Sequence, residues 1–279
     1  MNIVLAGTSG YIGGRLKKGL FRKHKIYDYK KKIPKKADIL INVAGPDRDF
    51  CKKNVKKGIN ERLKINRKIL KIIKKNKIKK YIHLSTIHVY KKSSLINEKS
   101  DLNKKDPYSI SHIKSENFIN KNFKKECEYI ILRVSNCFGY PSQLKSNCWK
   151  LVINSMVKEI FQKKRIEIKS KVNFIRDYIG ISYLVKIIEF YLTRKLNYET
   201  INITAEKTLS ILQFTKIISN ILKKKFKINI KIIKNTKRQE RKYKIKSSKI
   251  EKKIKNTIEY YFLKDLNELI LFCKKKYSN

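Results

Sequence analysis

Three of the nine glycines in the chain lie close together near its start, within Gly7–Gly13. Apolar residues precede this segment and a helical pattern follows it, so it should join a buried strand to a helix. Gly7 would permit a tight turn, Gly10 would let a pyrophosphate approach the backbone, and Gly13 would let the helix pack closely on the strand. The free N–H groups and the positive dipole end of that helix favour an anion. The segment therefore predicts a dinucleotide site.

The end of the second predicted strand bears on which dinucleotide binds. Asp28 stands where a carboxylate would accept hydrogen bonds from the adenosine ribose of NAD. Lys30, Lys31 and Lys32 follow at once and could instead neutralise the 2′-phosphate of NADP. NAD is the preferred assignment, and NADP stays open. The residues predicted to bind the cofactor are Gly7, Ser9, Gly10, Tyr11, Ile12, Gly13, Asp28, Ala44 and Gly45.

Two later segments combine hydroxyl, phenol and imidazole groups. Ser85–Tyr90 reads STIHVY, and Pro107–Glu116 reads PYSISHIKSE. With the GxxGxxG spacing, these blocks are similar to those of the extended short-chain dehydrogenase/reductase family, which includes nucleotide-sugar epimerases and dehydratases. The resemblance implies that Tyr108 exchanges a proton with a sugar hydroxyl while hydride passes to or from NAD(P). It also implies that Thr86 orients the same sugar oxygen.

The second block departs from the family at one position. His112 stands four residues after Tyr108, where the family has lysine. That position lies on the tyrosine's own face of a helix, where a cation lowers the phenol pKa and contacts the ribose. Lys114 lies away from that face and is a poor replacement. An imidazolium at His112 would do the same work as lysine, whereas neutral His112 would activate Tyr108 less.

The first block also departs from one branch of the family. Ile87 and His88 occupy the positions at which the 4,6-dehydratases carry an Asp-Glu pair. Elimination of water needs that added acid and base. Their absence favours epimerisation or reduction, which need only hydride transfer and one proton relay.

Two further motifs resemble the family's substrate-binding blocks. Leu132–Pro141 (LRVSNCFGYP) is similar to L-R-x-x-N-x-[FY]-G-x-P, and Phe174–Ile179 (FIRDYI) to the R-D-[FY]-I block. The resemblance assigns Asn136 and Arg176 to the diphosphate of the substrate, a role that suits a planar bidentate guanidinium. The alternative is a structural ion pair between Arg176 and Asp177.

The first half of the chain alternates short apolar runs with helical patterns, which is typical of a parallel sheet with crossover helices. The predicted fold class is α/β, a Rossmann-type doubly wound parallel sheet with a smaller C-terminal α/β substrate lobe. Residues 1–140 should form the NAD(P)-binding domain and residues 141–279 mainly the substrate-binding lobe, partly interleaved with it. Because Lys30–Ala37 is too short for a strand and a helix, one β-α unit should be missing or reduced between the second and third strands.

The elements expected from these patterns are strands, helices, one loop and a frayed tail. Strands are predicted at Asn2–Gly7, Lys25–Tyr29, Asp38–Ala44, Tyr81–Thr86, Tyr129–Ser135, Ile166–Lys169, Thr200–Ile203 and Lys227–Ile233. Helices are predicted at Tyr11–His24, Asn60–Asn76, Ser109–Phe123, Cys148–Lys164, Ile179–Thr193, Ser210–Lys225 and Leu263–Tyr277. Lys234–Ser248 should be a surface loop, and Lys274–Asn279 a solvated tail.

The formal net charge of +48 invites a nucleic-acid partner. However, the lysines are spread over the chain, and Lys, Ile, Asn, Tyr and Phe share A/T-rich codons, so compositional drift is the preferred explanation and no specific nucleic acid is expected. No apolar run is long enough to span a bilayer and no secretory signal appears, so the protein is predicted to be cytoplasmic. The five scattered cysteines form no C-x-x-C pair and predict neither disulfides nor a metal site.

The leading hypothesis is an NAD(P)-dependent 4-epimerase acting on a nucleoside diphosphate sugar, placed in surface polysaccharide biosynthesis by family analogy. A keto-sugar-nucleotide reductase is the close alternative. A catalytically silent Rossmann protein that binds RNA or a protein partner is the third, supported by the charge and by His112. Retention of Thr86, Tyr108, Asn136 and Arg176 favours an enzyme. Many relatives pair through helices equivalent to Asn60–Asn76 and Ser109–Phe123, so a homodimer is a further hypothesis.

Overall fold

The computed structural model describes residues 1–168 and 170–278, without the side chain of Gln239. The strands, in chain order, are β1 (Asn2–Ala6), β2 (Lys25–Asp28), β3 (Ile39–Asn42), β4 (Lys80–Thr86), β5 (Leu95–Ile96), β6 (Glu128–Val134), β7 (Asn136–Phe138), β8 (Arg165–Ile168), β9 (Val172–Asn173), β10 (Ile175–Gly180), β11 (Glu199–Ile203), β12 (Thr208–Ser210), β13 (Lys231–Lys234), β14 (Arg238–Gln239) and β15 (Lys244–Ile245). The α-helices are α1 (Tyr11–Leu20), α2 (Arg48–Lys53), α3 (Val55–Asn76), α4 (Pro107–Asn122), α5 (Val152–Lys163), α6 (Ile181–Thr193), α7 (Ile211–Phe226), α8 (Lys252–Lys255) and α9 (Ile258–Tyr277). Short 3-10 helices cover Ile87–Val89 and Asn147–Lys150.

A six-stranded sheet with the order β11-β6-β4-β3-β1-β2 forms the centre of the fold. Its strands are all parallel to one another. The chain passes from β1 to β2 at one edge and then to β3 on the other side of β1, so the strand order switches between β1 and β3. The link between β2 and β3 contains neither helix nor strand, which confirms the predicted loss of one β-α unit.

Alternate residues of each strand bury opposite faces of this sheet. Ile3 and Leu5 pack with Leu16 of α1 and Leu184 of α6. Val4, on the other face, lies in the cluster that includes residues of α3 and α4, such as Ile69 and Ile119. Side chains on a strand alternate between faces, so a run of apolar residues requires helices on both sides. The sheet is therefore doubly wound, as the strand pattern predicts.

A second hydrophobic cluster lies in the C-terminal half of the chain. It joins α5, α7 and α9 through Val157, Phe214 and Leu269, and it includes Phe138 of β7. β8 and β13 pair in parallel beside it. This is the smaller α/β lobe that was predicted. Within residues 1–168 and 170–278, no helix is long and apolar enough to cross a membrane.

Several predicted boundaries are wrong in the C-terminal half. Ile179 and Gly180 end β10 instead of starting a helix, because they pair with Cys137 and Phe138 of β7. The predicted loop at 234–248 contains β14 and β15, which pair with the distant strands β9 and β5. The predicted tail is helical as far as Tyr277, whose ring packs on Trp149 with centroids 5.6 Å apart. Lys169 and Asn279 lie outside the described residues.

Other boundaries shift by a few residues. The predicted strand at 227–233 forms only from Lys231, and the predicted helix at 11–24 ends at Leu20. The helix predicted at 148–164 begins as the 3-10 turn Asn147–Lys150 before α5. The helix predicted at 60–76 starts earlier, at Val55, and follows the unpredicted α2.

Candidate active site

The residues predicted to bind cofactor and to act in catalysis follow the carboxyl ends of neighbouring parallel strands. Gly7 follows β1 and Ala44 follows β3, on the two sides of the switch in strand order. Thr86 ends β4, and Asn136 follows β6 after one residue. Ligands of open α/β sheets bind in the crevice at such a switch point. The topology thus gathers segments from distant parts of the chain at one edge of the sheet.

The glycine turn is shaped by two close approaches. Gly7 has φ +98°, and a Cβ atom there would lie 3.0 Å from the backbone nitrogen of Ala44. A Cβ atom at Gly13 would lie 1.9 Å from the Gly7 carbonyl oxygen, so α1 packs directly on the turn. Ser9 and Gly10 are exposed at the tip and Ile12 is half-buried, whereas the Tyr11 hydroxyl donates to the Gly139 carbonyl in the interior. Tyr11 can therefore offer a ligand its backbone, not its side chain.

Asp28 is bound to the glycine turn. Its carboxylate accepts hydrogen bonds from the Thr8 hydroxyl and, over 2.8 Å, from the Lys30 backbone N–H. Burial alone would raise the pKa of Asp28, but these hydrogen bonds outweigh it and hold the pKa below its ordinary value. A charged carboxylate therefore stands beside the turn at the end of β2, where the sequence placed a ribose contact.

The start of α4 fixes the position of Tyr108. The Asp106 carboxylate accepts from the Ser109 backbone N–H over 3.0 Å, and Pro107 occupies the first turn, so cap and ring together define where the helix begins. The Ser109 hydroxyl donates to the His88 carbonyl oxygen over 2.5 Å. This bond ties the helix to the 3-10 turn that follows Thr86.

Tyr108 lies half-buried among imidazole rings. Its ring centroid is 4.6 Å from that of His112 and 6.4 Å from that of His88. Burial raises the pKa of its phenol, and the Arg62 guanidinium acts in the opposite direction. The backbone N–H of His88 donates to Thr86 Oγ1 over 3.3 Å, so His88 contacts both Thr86 and the Tyr108 ring. Across the described chain, no hydrogen bond is formed by the Tyr108 hydroxyl.

His112 does not supply the cation that the family's lysine would. The side chain is only 4% exposed, and burial, followed by the nearby Arg62 charge, lowers its pKa well below the ordinary value. The ring is therefore neutral near pH 7. Its Nδ1 atom lies 3.4 Å from Ser85 Oγ, whereas the buried Nε2 atom has no hydrogen-bond partner in the described part of the chain.

Arg62 is a site residue that the motifs did not indicate. It projects from α3 with its Cζ atom 5.7 Å from the Tyr108 ring centroid, and the residue is 4% exposed. A Cβ atom at Gly45 would lie 2.3 Å from Arg62 Nη1, so the end of β3 packs directly on the guanidinium. The sequence does not single out Arg62, because the same lysine-rich helix carries a second arginine, Arg67, which is exposed.

The two predicted diphosphate contacts lie near His88. Asn136 Nδ2 donates to the Asp177 carbonyl oxygen over 2.9 Å. Arg176 Nη1 donates to Glu240 Oε2 over 2.6 Å, so the ion pair that Arg176 forms is with Glu240 and not with Asp177. Asp177 is fully buried and accepts from the Ala205 backbone N–H, and burial raises its pKa to about 6.

A cavity of about 640 Å³ opens beside these residues. Most of its charged lining is cationic, with Glu240 as the acidic exception among the described residues. The lining includes Arg48, His88, Lys92, Ser109, Arg176 and Arg241. A pocket of this size and charge suits a phosphorylated small molecule.

Known structures share this architecture over nearly the whole chain. The RMD protein of Pseudomonas aeruginosa, solved with NADPH, superposes with a TM-score of 0.79 at 14% identity, covering 99% of this chain and all of that one. The UDP-glucuronic acid 4-epimerase of Bacillus cereus, solved with UDP-glucuronic acid and NAD, superposes with a TM-score of 0.74 at 20% identity, covering 99% and 100%. At these identities the likeness concerns the fold, and it confirms the predicted Rossmann-type class.

Sequence comparison gives the family. The dTDP-D-glucose 4,6-dehydratase of Dictyostelium discoideum is 29% identical in an alignment of 207 residues, gaps included, that covers 67% of this chain. The match covers 45% of that protein, so the chain spans about half the length of this relative. The family model matches residues 3–204, a range that includes the glycine turn and the predicted catalytic and diphosphate-binding motifs. The chain belongs to the NAD dependent epimerase/dehydratase family.

Proposed function

We propose that the protein is an NAD(P)-dependent nucleotide-sugar epimerase that inverts a sugar carbon, C4 in the leading assignment. The observation that carries the proposal is the placement of Tyr108. Tyr108 lies at the start of α4 with an unpartnered hydroxyl, and its ring centroid is 6.4 Å from that of His88, which lines the basic cavity. Family analogy places the reaction in surface polysaccharide biosynthesis.

The residues present fit a bound dinucleotide. Gly10 presents no side chain to a pyrophosphate, while its own N–H donates to the Gly7 carbonyl oxygen over 3.0 Å. The first N–H groups of α1 would bind the pyrophosphate, and Asp28 is charged and positioned for ribose hydroxyls. The unpartnered Nε2 atom of buried His112 would accept a hydrogen bond from a further cofactor hydroxyl. NAD is favoured because Asp28 would repel the extra phosphate of NADP. When bound, the nicotinamide would accept and return a hydride.

Tyr108 would act as the proton acceptor and donor at the sugar oxygen. Thr86 Oγ1, which accepts from His88, retains its own hydroxyl proton to donate to that oxygen and hold it toward Tyr108. Thr86 and His112 are buried, which limits the access of water that would compete for these hydrogen bonds. The chain's own groups thus supply one proton relay.

The structure offers little for the dehydratase reaction of the named Dictyostelium relative. Ile87 is apolar and buried in a cluster with Val89 and Ile113. Burial lowers the pKa of His88 to about 4, so at neutral pH its ring holds no proton to deliver as an imidazolium acid. Neither residue replaces the acidic pair that elimination requires. Epimerisation therefore remains the better match.

A nucleoside diphosphate sugar is the substrate class that fits the cavity. Arg176 would clamp the diphosphate and Asn136 would contact it, with further cations of the cavity contributing to charge neutralisation. The ion pair between Arg176 and Glu240 must open for this contact. The rest of the cavity lining would then select the nucleoside base and the sugar of the substrate.

The test begins with the protein purified in high salt and denatured, followed by chromatography of the released nucleotides. Stoichiometric NAD(H) is expected, because an epimerase reoxidises its cofactor within one turnover and retains it. The holoenzyme is then incubated with UDP-, dTDP- and GDP-sugars, and epimers are resolved by chromatography, with Tyr108→Phe as the inactive control. Turnover that consumes added NADPH would instead identify a keto-sugar reductase. If the protein releases no NAD(P) and binds none that is added, the enzyme hypothesis is rejected and a silent binding protein is favoured.

The homodimer hypothesis meets a physical obstacle at its expected interface. The solvent-facing side of α3 is strongly cationic, and a second copy would face it with the same charges. Its exposed basic residues are Lys56, Lys57, Lys64, Arg67, Lys68, Lys71, Lys74 and Lys75. Pairing would therefore require salt or a bound polyanion. Analytical ultracentrifugation at low and high salt tests this, and a monomer under both conditions would remove the dimer.

A further inference from the structure

The position that usually carries the cation beside the active-site tyrosine holds neutral His112 here. A tyrosine base nevertheless needs stabilisation of its anion, since burial by itself disfavours the charged phenolate. The inference below rests on the proposed function, because it concerns how Tyr108 becomes a usable base.

We propose that Arg62 is the positioning residue that supplies the positive charge for the Tyr108 phenolate. Its guanidinium carbon lies 5.7 Å from the Tyr108 ring centroid, within the range of a cation–π contact. It approaches from α3, across the interface with α4, and not from the helix that carries Tyr108. The charge is therefore relocated from one helix to its neighbour.

The guanidinium is held in one place by three neighbours. Arg62 Nε donates to Ser111 Oγ over 3.1 Å, and Arg62 Nη2 donates to the Pro46 carbonyl oxygen over 2.9 Å. Gly45 leaves the space that Nη1 fills. Burial lowers the pKa of Arg62, but a guanidinium keeps its proton near neutral pH in any case. A fixed charge of this kind needs no reorganisation when Tyr108 loses its proton.

The same charge adds to burial in keeping His112 neutral. Burial and then Arg62 lower the pKa of His112, and Arg62 also acts on the buried ring of His83. Two adjacent buried cations would repel each other, so the site holds one. The charged or titratable groups around Tyr108 are Arg62 of α3, Cys51 and Arg48 of α2, Asp47 at the α2 cap, His88 of the 3-10 turn and His112 of α4.

The direct test is an ultraviolet titration of tyrosinate that needs no substrate. The Tyr108 signal is obtained by subtracting the curve of Tyr108→Phe in each background. Arg62→Gln should move the Tyr108 midpoint to higher pH, because removal of the cation disfavours the phenolate. Arg67→Gln, which removes an exposed arginine from the same helix, should leave the midpoint in place. An unchanged midpoint in Arg62→Gln would overturn the proposal.

Charge and shape are separated by two further variants. Arg62→Lys should keep the Tyr108 midpoint near that of the unaltered protein. In the double variant Arg62→Gln/His112→Lys, the lysine at position 112, where the family has its cation, should bring the Tyr108 midpoint back to that of the unaltered protein. If Arg62→Gln does not fold, the unaltered protein labelled with ¹⁵N-arginine gives the answer. Its Arg62 Nε resonance, assigned by its loss in Arg62→Lys, should shift with the Tyr108 midpoint. An Arg62 Nε chemical shift that does not change when Tyr108 ionises would contradict the proposal.

The rate of epimerisation, or of bound NADH formation on addition of UDP-glucose, adds a functional readout. In Arg62→Gln the rate at pH 8 should fall about ten-fold or more, and the loss should shrink as the pH rises, since each unit of pKa is a factor of ten in the active form. A loss that is equal at every pH would indicate a structural role alone. A shifted Tyr108 midpoint in a protein without NAD binding or turnover would reject the proposed function and leave the electrostatic coupling standing.

Discussion

The Ser85 hydroxyl donates to Glu116 Oε1 over 2.5 Å. Arg133 donates to the same carboxylate through Nε and Nη2, at 3.1 and 2.7 Å, and Glu116 is therefore the acceptor of the Ser85 hydrogen bond. The Ser85 oxygen can then only accept from His112, whose proton must lie on Nδ1. The Nε2 atom of His112 is left as a buried acceptor. A lysine at this position would present donors instead.

Replacement of His112 by phenylalanine tests this acceptor. His112→Phe keeps an aromatic ring beside Tyr108 and removes both nitrogens. We expect the apo variant to be at least as stable as the native protein, since an unsatisfied buried atom is lost. NAD affinity should fall about five- to ten-fold, the value of one hydrogen bond. Calorimetric titration and thermal melts measure both, and unchanged NAD affinity would show that Nε2 does not face the cofactor.

Replacement of Asp28 tests the choice between NAD and NADP. The carboxylate is charged at neutral pH, because hydrogen bonds hold its pKa down despite burial, and it would repel a 2′-phosphate. The native protein should bind NADH at least about ten-fold more tightly than NADPH. Asp28→Ser should lower this preference for NADH, mainly by weakening the binding of NADH. Fluorescence titration with both nucleotides gives the ratio of their affinities. If that ratio is the same in both proteins, the choice between NADH and NADPH is made by Lys30–Lys32 and not by Asp28.

The sequence predicts the parts of the site that are encoded in short, contiguous patterns. The Gly7–Gly13 turn and the start of α4 at Tyr108 are of this kind, because turn and cap preferences act within a few residues. Arg62 was not predictable in the same way. Helical periodicity indicates that its face of α3 is buried, but only the packing of α3 on α4 places it against Tyr108.

Long-range pairing accounts for the errors in the C-terminal half. β15 pairs with β5, about 150 residues earlier in the chain, and no local pattern in the basic 234–248 segment reports such a partner. The ion pair between Glu240 and Arg176 likewise follows from a non-local pairing, that of β14 with β9. The last helix ends at Tyr277 as predicted, and buried Cys273 with the contact of the Tyr277 ring on Trp149 holds it in place, so residues 274–277 are not frayed.

Two alanine substitutions in the glycine turn should separate folding from cofactor binding. A Cβ at Gly13 would lie 1.9 Å from the Gly7 carbonyl oxygen, so Gly13→Ala should lose at least about 3 kcal/mol of unfolding free energy. A Cβ at Gly10 would lie 3.4 Å from the same oxygen, an ordinary contact, so Gly10→Ala should fold. Its methyl group should nevertheless weaken NAD binding ten-fold or more, about 1.4 kcal/mol, by obstructing the pyrophosphate. Urea unfolding and NAD titration are the measurements, and native NAD affinity in Gly10→Ala would place the pyrophosphate elsewhere.

Neutralising Glu240 tests the assignment of Arg176 to the diphosphate. Glu240 Oε2 accepts from Arg176 over 2.6 Å, and a diphosphate must compete with this carboxylate. Glu240→Gln should therefore tighten UDP binding several-fold, measured by calorimetry. Glu199→Gln, which removes the same charge from an ion pair with Lys249, is the matched control. Weaker UDP binding in Glu240→Gln would mean that Glu240 positions Arg176 for the ligand instead of competing with it.

The buried imidazole of His83 makes stability depend on pH. Burial lowers its pKa to about 3, and Tyr81, Asn42 and Ser115 hydrogen-bond the ring. Below about pH 6.5 the unfolded chain binds a proton that the folded protein refuses until about pH 3, so acidification through this window lowers the free energy of unfolding. Between pH 7 and pH 5 the native protein should lose about 2 kcal/mol more than His83→Gln does. Urea unfolding of both proteins at the two pH values measures the difference, and parallel losses would show that His83 takes up its proton in the folded state.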